Sequence, residues 1–383
     1  MDLSEFEARE FGGSDSGGRT SGRSEAGEIL REVVYENPRF TGGGGEYFRI
    51  WIVNLFLSLV TLGIFIPWAK VRTRRYFYRN TLLDGHAFDY TADPRKLLIG
   101  YLIVGAALLI YGFGEFVAVW IPLLLFVVFA ALYPWVRWKS LRFFAAYSTY
   151  RHIPLRFTGT AGGAYAAFLG WPALAVVTAG ILGPYAAFRA RAYYFENFRY
   201  GDARSRFSAT AGYFYRVYLL GGLAIFGGLF AVSMLVGALV AVVAATAGGV
   251  EDYGGTGMPP LLVLVPMLLI YPALFLGIAV IRVFILNYCW SSTALRTPAG
   301  RVRFVSSIHP VRYGWILSTN LILTILTLGI YLPWAKVRLH RYRLECLEVI
   351  NAPNLESITG AGREEVAAVG ESAADWLDID FGL

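Results

Sequence analysis

The residue types that carry most enzyme chemistry are few and scattered in this chain. Its four histidines, His86, His152, His309 and His340, show no HxxxH or HExxH spacing, the arrangement that places two imidazoles on one helical face for a metal. Cys289 and Cys346 form no CxxC, and each lies beside an Arg-rich stretch, so they read as packing residues and not as a redox pair. There is no GxSxG and no P-loop. Gly42–Gly45 before Glu46 could form an anion-binding nest, but a flexible lead into a helix is the plainer reading. No catalytic residue, cofactor or metal ligand is expected, and an enzyme is the least supported class.

A basic-aromatic pattern recurs instead. Its first copy reads Phe40-Thr-Gly42, Thr61-Leu-Gly63-Ile64, Pro67-Trp-Ala-Lys-Val-Arg72 and Tyr76; its third reads Phe304-Val-Ser306, Thr327-Leu-Gly329-Ile330, Pro333-Trp-Ala-Lys-Val-Arg338 and Tyr342. A middle copy is worn: Phe157-Thr-Gly159, Thr178-Ala-Gly180-Ile181, Pro184-Tyr-Ala-Ala-Phe-Arg189 and Tyr193. In all three, Pro follows Thr by six residues, and Arg and Tyr follow Pro by five and nine. Offsets held this well indicate an internal repeat. Pro suits the first turn of a helix, Trp suits a headgroup boundary, and Lys and Arg can lay their stems on apolar surface with their charges in water. Trp68, Lys70, Arg72, Arg75, Arg189, Arg191, Trp334, Lys336, Arg338 and Arg341 are therefore candidates for contact with anionic headgroups. Polar groups within apolar stretches are functional candidates by default: Asn54 and Ser58, and Asn320 and Thr324, share helical faces at i, i+4. They either bond between helices or line a polar path.

The elements that hold these residues are apolar. Of 383 residues, 56% are hydrophobic and 16% charged, with a mean hydropathy of +0.51, too little charge to cover a water-facing surface. Seven stretches, near 50–69, 97–114, 116–136, 165–188, 217–247, 259–281 and 313–335, approach the ~20 residues that span a bilayer. The expected fold is an all-α polytopic helical bundle built from internal repeats. Short β-hairpins are expected at the cytoplasmic face, at Asp84-Gly85 and Gly201-Asp202. The organisation follows as an acidic tail 1–38, repeat unit 39–153, repeat unit 154–300, a partial third unit 301–347 and an acidic tail 348–383. With no basic-then-apolar leader at the N-terminus, the first apolar stretch is expected to act as an uncleaved insertion signal.

Charge sets a topological puzzle. Residues 40–347 hold 28 bases against 10 acids, a balance suited to a leaflet rich in anionic lipid and, beside apolar spans, not to nucleic acid. The segments after 67, 136, 188, 281 and 335 are all basic, whereas the links near 112–116 and 248–258 carry no base. Seven simple crossings break the positive-inside rule. A re-entrant path for 46–68, 165–185 and 313–334, bending at Thr-Leu-Gly-Ile, satisfies it and leaves both tails cytoplasmic; simple spans are the alternative.

The first copy of the pattern, with Tyr47-Phe-Arg-Ile-Trp51 and Leu83-Asp-Gly-His86, resembles the YjgN-like family of bacterial inner-membrane proteins, a domain of unknown function. The resemblance implies a multi-pass inner-membrane protein and brings no catalytic residues. Two functional classes remain open: a transport- or permeation-related protein, and an anionic-lipid-interacting or scaffolding protein with no substrate path. Membrane lipids are the expected partners, with a protein partner conceivable for the acidic tails and the oligomeric state open.

Overall fold

The structure is a computed structural model that describes residues 34–98, 101–102, 105, 112, 120–246 and 260–358. Two short strands open it, β1 (Tyr35–Glu36) and β2 (Arg39–Phe40). Helices α1 (Gly44–Val60) and α2 (Ile66–Arg79) then lead to strands β3 (Thr81–Leu83) and β4 (His86–Tyr90). Beyond a partly described stretch, α3 (Ile121–Tyr147) returns to β5 (Ser148–Tyr150) and β6 (Ile153–Phe157). Helix α4 (Ala161–Val177), with a π-turn at Ala166–Gly170, and α5 (Gly183–Glu196) precede β7 (Phe198–Tyr200) and β8 (Ala203–Phe207). The long helices α6 (Ala211–Thr246) and α7 (Pro260–Ser291) lead to β9 (Thr293–Thr297) and β10 (Gly300–Ser306). Last come α8 (Pro310–Leu326), α9 (Leu332–Glu345), β11 (Leu347–Ile350) and a 3-10 turn Ala352–Ser357.

All eleven strands join one antiparallel sheet in the order β1-β11-β10-β9-β8-β7-β6-β5-β4-β3-β2. Its two edges, β1 and β2, are separated only by Asn37-Pro38, so the sheet curls until one segment supplies both edges. One apolar cluster accordingly draws on every strand from β3 to β11, through residues such as Leu83, Tyr150, Tyr200 and Val302, and is plugged by Ala352, Leu355 and Ile358. Two tyrosine hydroxyls stitch it internally, Tyr150 donating to the Leu83 carbonyl (2.9 Å) and Tyr200 to the Tyr150 carbonyl (3.0 Å).

Around this sheet the connections alternate. Tight turns join β3–β4, β5–β6, β7–β8 and β9–β10, and excursions toward the other end join β2–β3, β4–β5, β6–β7, β8–β9 and β10–β11. Each of the five excursions is closed at its base by the same backbone bond, 2.9 Å long: Thr41 N–H to Asn80 O, Thr91 to Tyr147, Thr158 to Asn197, Ser208 to Ser292 and Ser307 to Cys346. Every helical path therefore begins and ends at one end of the sheet, opposite its tight turns.

The expectation of an all-α polytopic bundle with short hairpins is corrected by this architecture. The turns at Asp84-Gly85 and Gly201-Asp202 form where expected, but their strands belong to a curled eleven-stranded sheet. Among the described residues, three helices are long and apolar enough to cross a membrane, within Leu123–Tyr147, Ala211–Ala238 and Leu274–Ser291. The stretches 50–69, 165–188 and 313–335 are each broken into two helices by a turn, and most of 97–114 lies outside the described residues. Residues 348–358, expected to begin the acidic tail, instead complete β11 and the turn that plugs the sheet. The rest of that tail and residues 1–33 lie outside the described residues.

Candidate functional site

The three copies of the sequence pattern build three helical hairpins, α1/α2, α4/α5 and α8/α9, with the same tip. At each, two residues turn left-handed: Leu62 and Gly63 (φ 49° and 91°), Ala179 and Gly180 (50° and 88°), Leu328 and Gly329 (50° and 91°). The glycine N–H closes the outgoing helix on the carbonyl five residues back, Ser58, Ala175 or Thr324, at 2.7 Å. The repeated threonine completes the tip. Its hydroxyl donates to the preceding turn, as Thr61 does to Leu57 O (2.7 Å), and accepts the N–H of Phe65 (3.0 Å). Thr178 and Thr327 do the same. Satisfied backbone is what an apolar solvent requires, and the tips are apolar: Leu62 and Leu328 are each 94% exposed, with Ile181 at 70%. The repeated tyrosine ties each hairpin base, with Tyr76 donating to Gly43 O (2.9 Å), Tyr193 to Thr160 O (2.8 Å), and Tyr342 accepting the N–H of His309 (3.1 Å).

Cations occupy the opposite part of each hairpin. Lys70, Arg137, Arg282 and Lys336 each stand eleven residues before the strand that follows, and the described helices carry no Lys or Arg farther from the sheet. At 1.5 Å per residue this places a basic collar within about 16 Å of the sheet. Trp68, Trp135 and Trp334 stand two residues farther out, each after a proline. The Pro134-Trp135-Val136-Arg137 run inside α3 is thus a further instance of the pattern, one that repeat spacing alone does not reveal. Its equal distance from the following strand is the signal that marks it, and that signal depends on β5, which the sequence does not announce.

The predicted residues fall into separate groups. Asn54, Ser58, Lys70 and Lys336 line one cleft of about 290 Å³ together with Trp51 and Arg74. Trp334, Arg338 and Arg341 line a second, of about 350 Å³, with Arg312, Trp315 and Tyr331. Neither Arg312 nor Trp315 was singled out from sequence, although their spacing of three puts a cation and an aromatic on one face of α8. Arg75 donates to Tyr90 O (3.2 Å), Arg72 and Arg189 are exposed, and Arg191 is half-buried on α5; none of these, nor Trp68, borders either cleft. Thr324 serves its tip through its carbonyl. The asparagines work inside their own hairpins: Asn54 Nδ2 donates to Ala69 O (3.3 Å) and Asn320 Nδ2 to Ala335 O (3.2 Å), and both side chains are buried.

The turn end of the sheet is charged differently. Arg151, in the β5–β6 turn, pairs with Asp84 and with Glu356, each at 3.1 Å. Burial pushes the Tyr150 phenol beside it up to about 12, the Arg151 charge opposing and the charges of Asp84, Glu36 and Glu356 adding to the rise. Here one arginine meets two carboxylates, so this end carries acidic charge where the collar carries basic residues. Among the described residues no group of His, Cys, Asp and Glu could hold a metal ion.

The family described as "Bacterial protein of unknown function (DUF898)" matches residues 36–376. The chain is also similar to two proteins named "Inner membrane protein YjgN": one from Salmonella typhimurium, 49% identical over 65 residues, and one from Escherichia coli K12, 32% identical over 77 residues. These matches cover 17% and 20% of this chain and 16% and 19% of the relatives, so each spans less than a fifth of the relative's length. No solved structure matches. The chain belongs to the DUF898, YjgN-like family.

Proposed function

We propose that this member of the DUF898 family is an inner-membrane protein that engages anionic lipid headgroups through its basic collar. In this reading, the helical pairs enter the bilayer from the cytoplasmic side and the sheet stays outside it. The observation that carries the reading is the vertical order within each hairpin: sheet, cations, tryptophan or tyrosine, then an exposed apolar tip with its backbone satisfied. That order matches the sequence of environments met on entering a leaflet from water. Helix α1, with 17 residues, reaches about 25 Å, while α6, with 36, reaches about 54 Å, against a hydrocarbon core of about 30 Å. The short hairpins therefore dip and return, and the long pair α6/α7 crosses and comes back. With all excursions leaving from one end of the sheet, this reading puts the basic segments on a single side of the membrane, in keeping with the positive-inside rule, and puts both ends of the described chain on that side.

A transport-related reading asks Asn54 and Asn320 to line a path. The Nδ2 of each donates to a carbonyl within its own hairpin, a structural bond that favours the lipid reading. The test is native mass spectrometry of the protein released from nanodiscs of mixed phosphatidylglycerol and phosphatidylcholine. Retention of phosphatidylglycerol well above its share in the disc, falling as salt rises, is expected. Retention in proportion to the mixture would contradict the reading.

A further inference from the structure

The third hairpin carries something the other two lack. We infer that the cleft between α8 and α9, closed on one side by Gly44 of α1, is a site for the phosphodiester headgroup of a single anionic lipid; this rests on the collar reading and narrows it to one place. Three guanidinium groups border the cleft against one carboxylate, Glu345. Each is held in position: Arg338 Nη1 donates to Thr319 Oγ1 (2.9 Å) and Asn320 Oδ1 (3.3 Å), Arg341 Nη2 donates to Gly42 O (2.9 Å), and Arg312 lies over the Tyr342 ring at 5.1 Å. A guanidinium has five N–H donors, so these anchors leave donors for a phosphate in the paired geometry that arginine favours.

The apolar wall argues for a lipid over a free ion. Trp315, 66% exposed, lies beside Ile316 and Tyr331 in the cleft, and exposed Ile322, Ile325 and Leu328 continue along the hairpin toward its tip. A phosphate seated among the arginines would have an apolar track next to it for an acyl chain. The other hairpins cannot repeat the site. In register with Arg312 the first hairpin has Glu46, whose carboxylate accepts the Gly43 N–H (3.3 Å) and the Tyr76 hydroxyl (3.2 Å). The second has Gly163 there, and Ala192 in place of Arg341.

The full chain in neutral detergent, titrated with dioctanoyl-phosphatidylglycerol below its micelle concentration, tests this. Saturable binding is expected, weakened about tenfold by Arg312→Gln, which removes one charge-assisted donor from an exposed position. Arg338→Lys, which keeps the charge and loses the fork, should also weaken it. Arg72→Gln and Arg189→Gln, collar positions outside the cleft, should weaken binding clearly less than Arg312→Gln does. Dioctanoyl-phosphatidylcholine should bind poorly and millimolar inorganic phosphate should not compete. Equal losses in cleft and collar variants would overturn the cleft and leave the collar reading standing. No preference for phosphatidylglycerol in the unmodified chain would sink both, and effective competition by inorganic phosphate would make this a free-anion site.

Discussion

The first and third hairpins share a backbone and differ in electrostatics. Both turn at the same left-handed pair, both bond a buried asparagine to an alanine carbonyl, and both return through Pro-Trp-Ala-Lys-Val-Arg. In the third, Asn320 Oδ1 and Thr319 Oγ1 hold Arg338. In the first, Val53 stands where Thr319 would be, Arg72 is exposed, and the buried Asn54 Oδ1 has no hydrogen-bond partner. The first hairpin is instead pinned to β4 by Arg79 and Asp89 (3.0 Å), where the third has Glu345 at the position of Arg79. A repeated motif thus specifies the shape of a hairpin, while a few unrepeated positions decide which partners hold its cations.

The comparison can be broken most severely at Asn320. Asn320→Leu removes both the bond to the Ala335 carbonyl and one anchor of the Arg338 fork, and should cost about 3 kcal/mol in unfolding free energy, read as a large fall in midpoint in detergent. Next comes the seam between the hairpins. A Cβ on Gly44 would collide with the Trp334 indole, which also stacks on Phe48, so Gly44→Ala should cost about 2 kcal/mol by overpacking and change Trp fluorescence. Asn54→Leu should cost less, about 1 kcal/mol, because it also removes an oxygen that is already buried without a partner. If Asn54→Leu proved as damaging as Asn320→Leu, the proposed difference between the hairpins would fail.

The smallest effect concerns acid. Burial raises the Asp89 carboxyl, but the Arg79 hydrogen bond, the Tyr90 N–H and the charges of Arg79 and Arg75 outweigh it and hold the group below its ordinary value. A depressed carboxyl contributes stability above its unfolded pKa, near 4, and loses it as pH falls through the lower folded value. Arg79 is exposed and Asp89 half-buried, so solvent screens the pair and the change should stay within about 1 kcal/mol. Asp89→Asn should flatten that part of the acid titration, and an unchanged profile would count against the pin.

Much of the local detail was legible in sequence, and little of the global arrangement. Thr61, Gly63 and Pro67 recur at fixed offsets because each has its own place in the backbone: the threonine hydroxyl bridges the tip, the glycine turns left-handed, and the proline starts the returning helix. The turns at Asp84-Gly85 and Gly201-Asp202 carry tight-turn residues. The sheet was hidden because its strands are two to seven residues long, too short for alternation to register. Half of its strand pairings also join segments separated by a whole helical excursion. The β5–β6 turn gave no signal either, since it places Arg151 and His152 at positive φ (47° and 65°) without a glycine. The cleft of the third hairpin was half legible: Trp334, Arg338 and Arg341 lie in the motif, whereas Arg312 and Trp315 come from the outgoing helix that only the fold brings beside it.

The central claim, that every helical excursion leaves from and returns to one end of a sheet lying on the cytoplasmic side, is tested most directly at the β7–β8 turn. Asp202→Cys, in a chain also carrying Cys289→Ala and Cys346→Ala, would be exposed to a membrane-impermeant maleimide on spheroplasts. The orientation proposed here, with the sheet on the cytoplasmic side, predicts no labelling while the inner membrane is intact and full labelling after it is permeabilised. Labelling of intact spheroplasts would place this turn on the outer side and contradict the account.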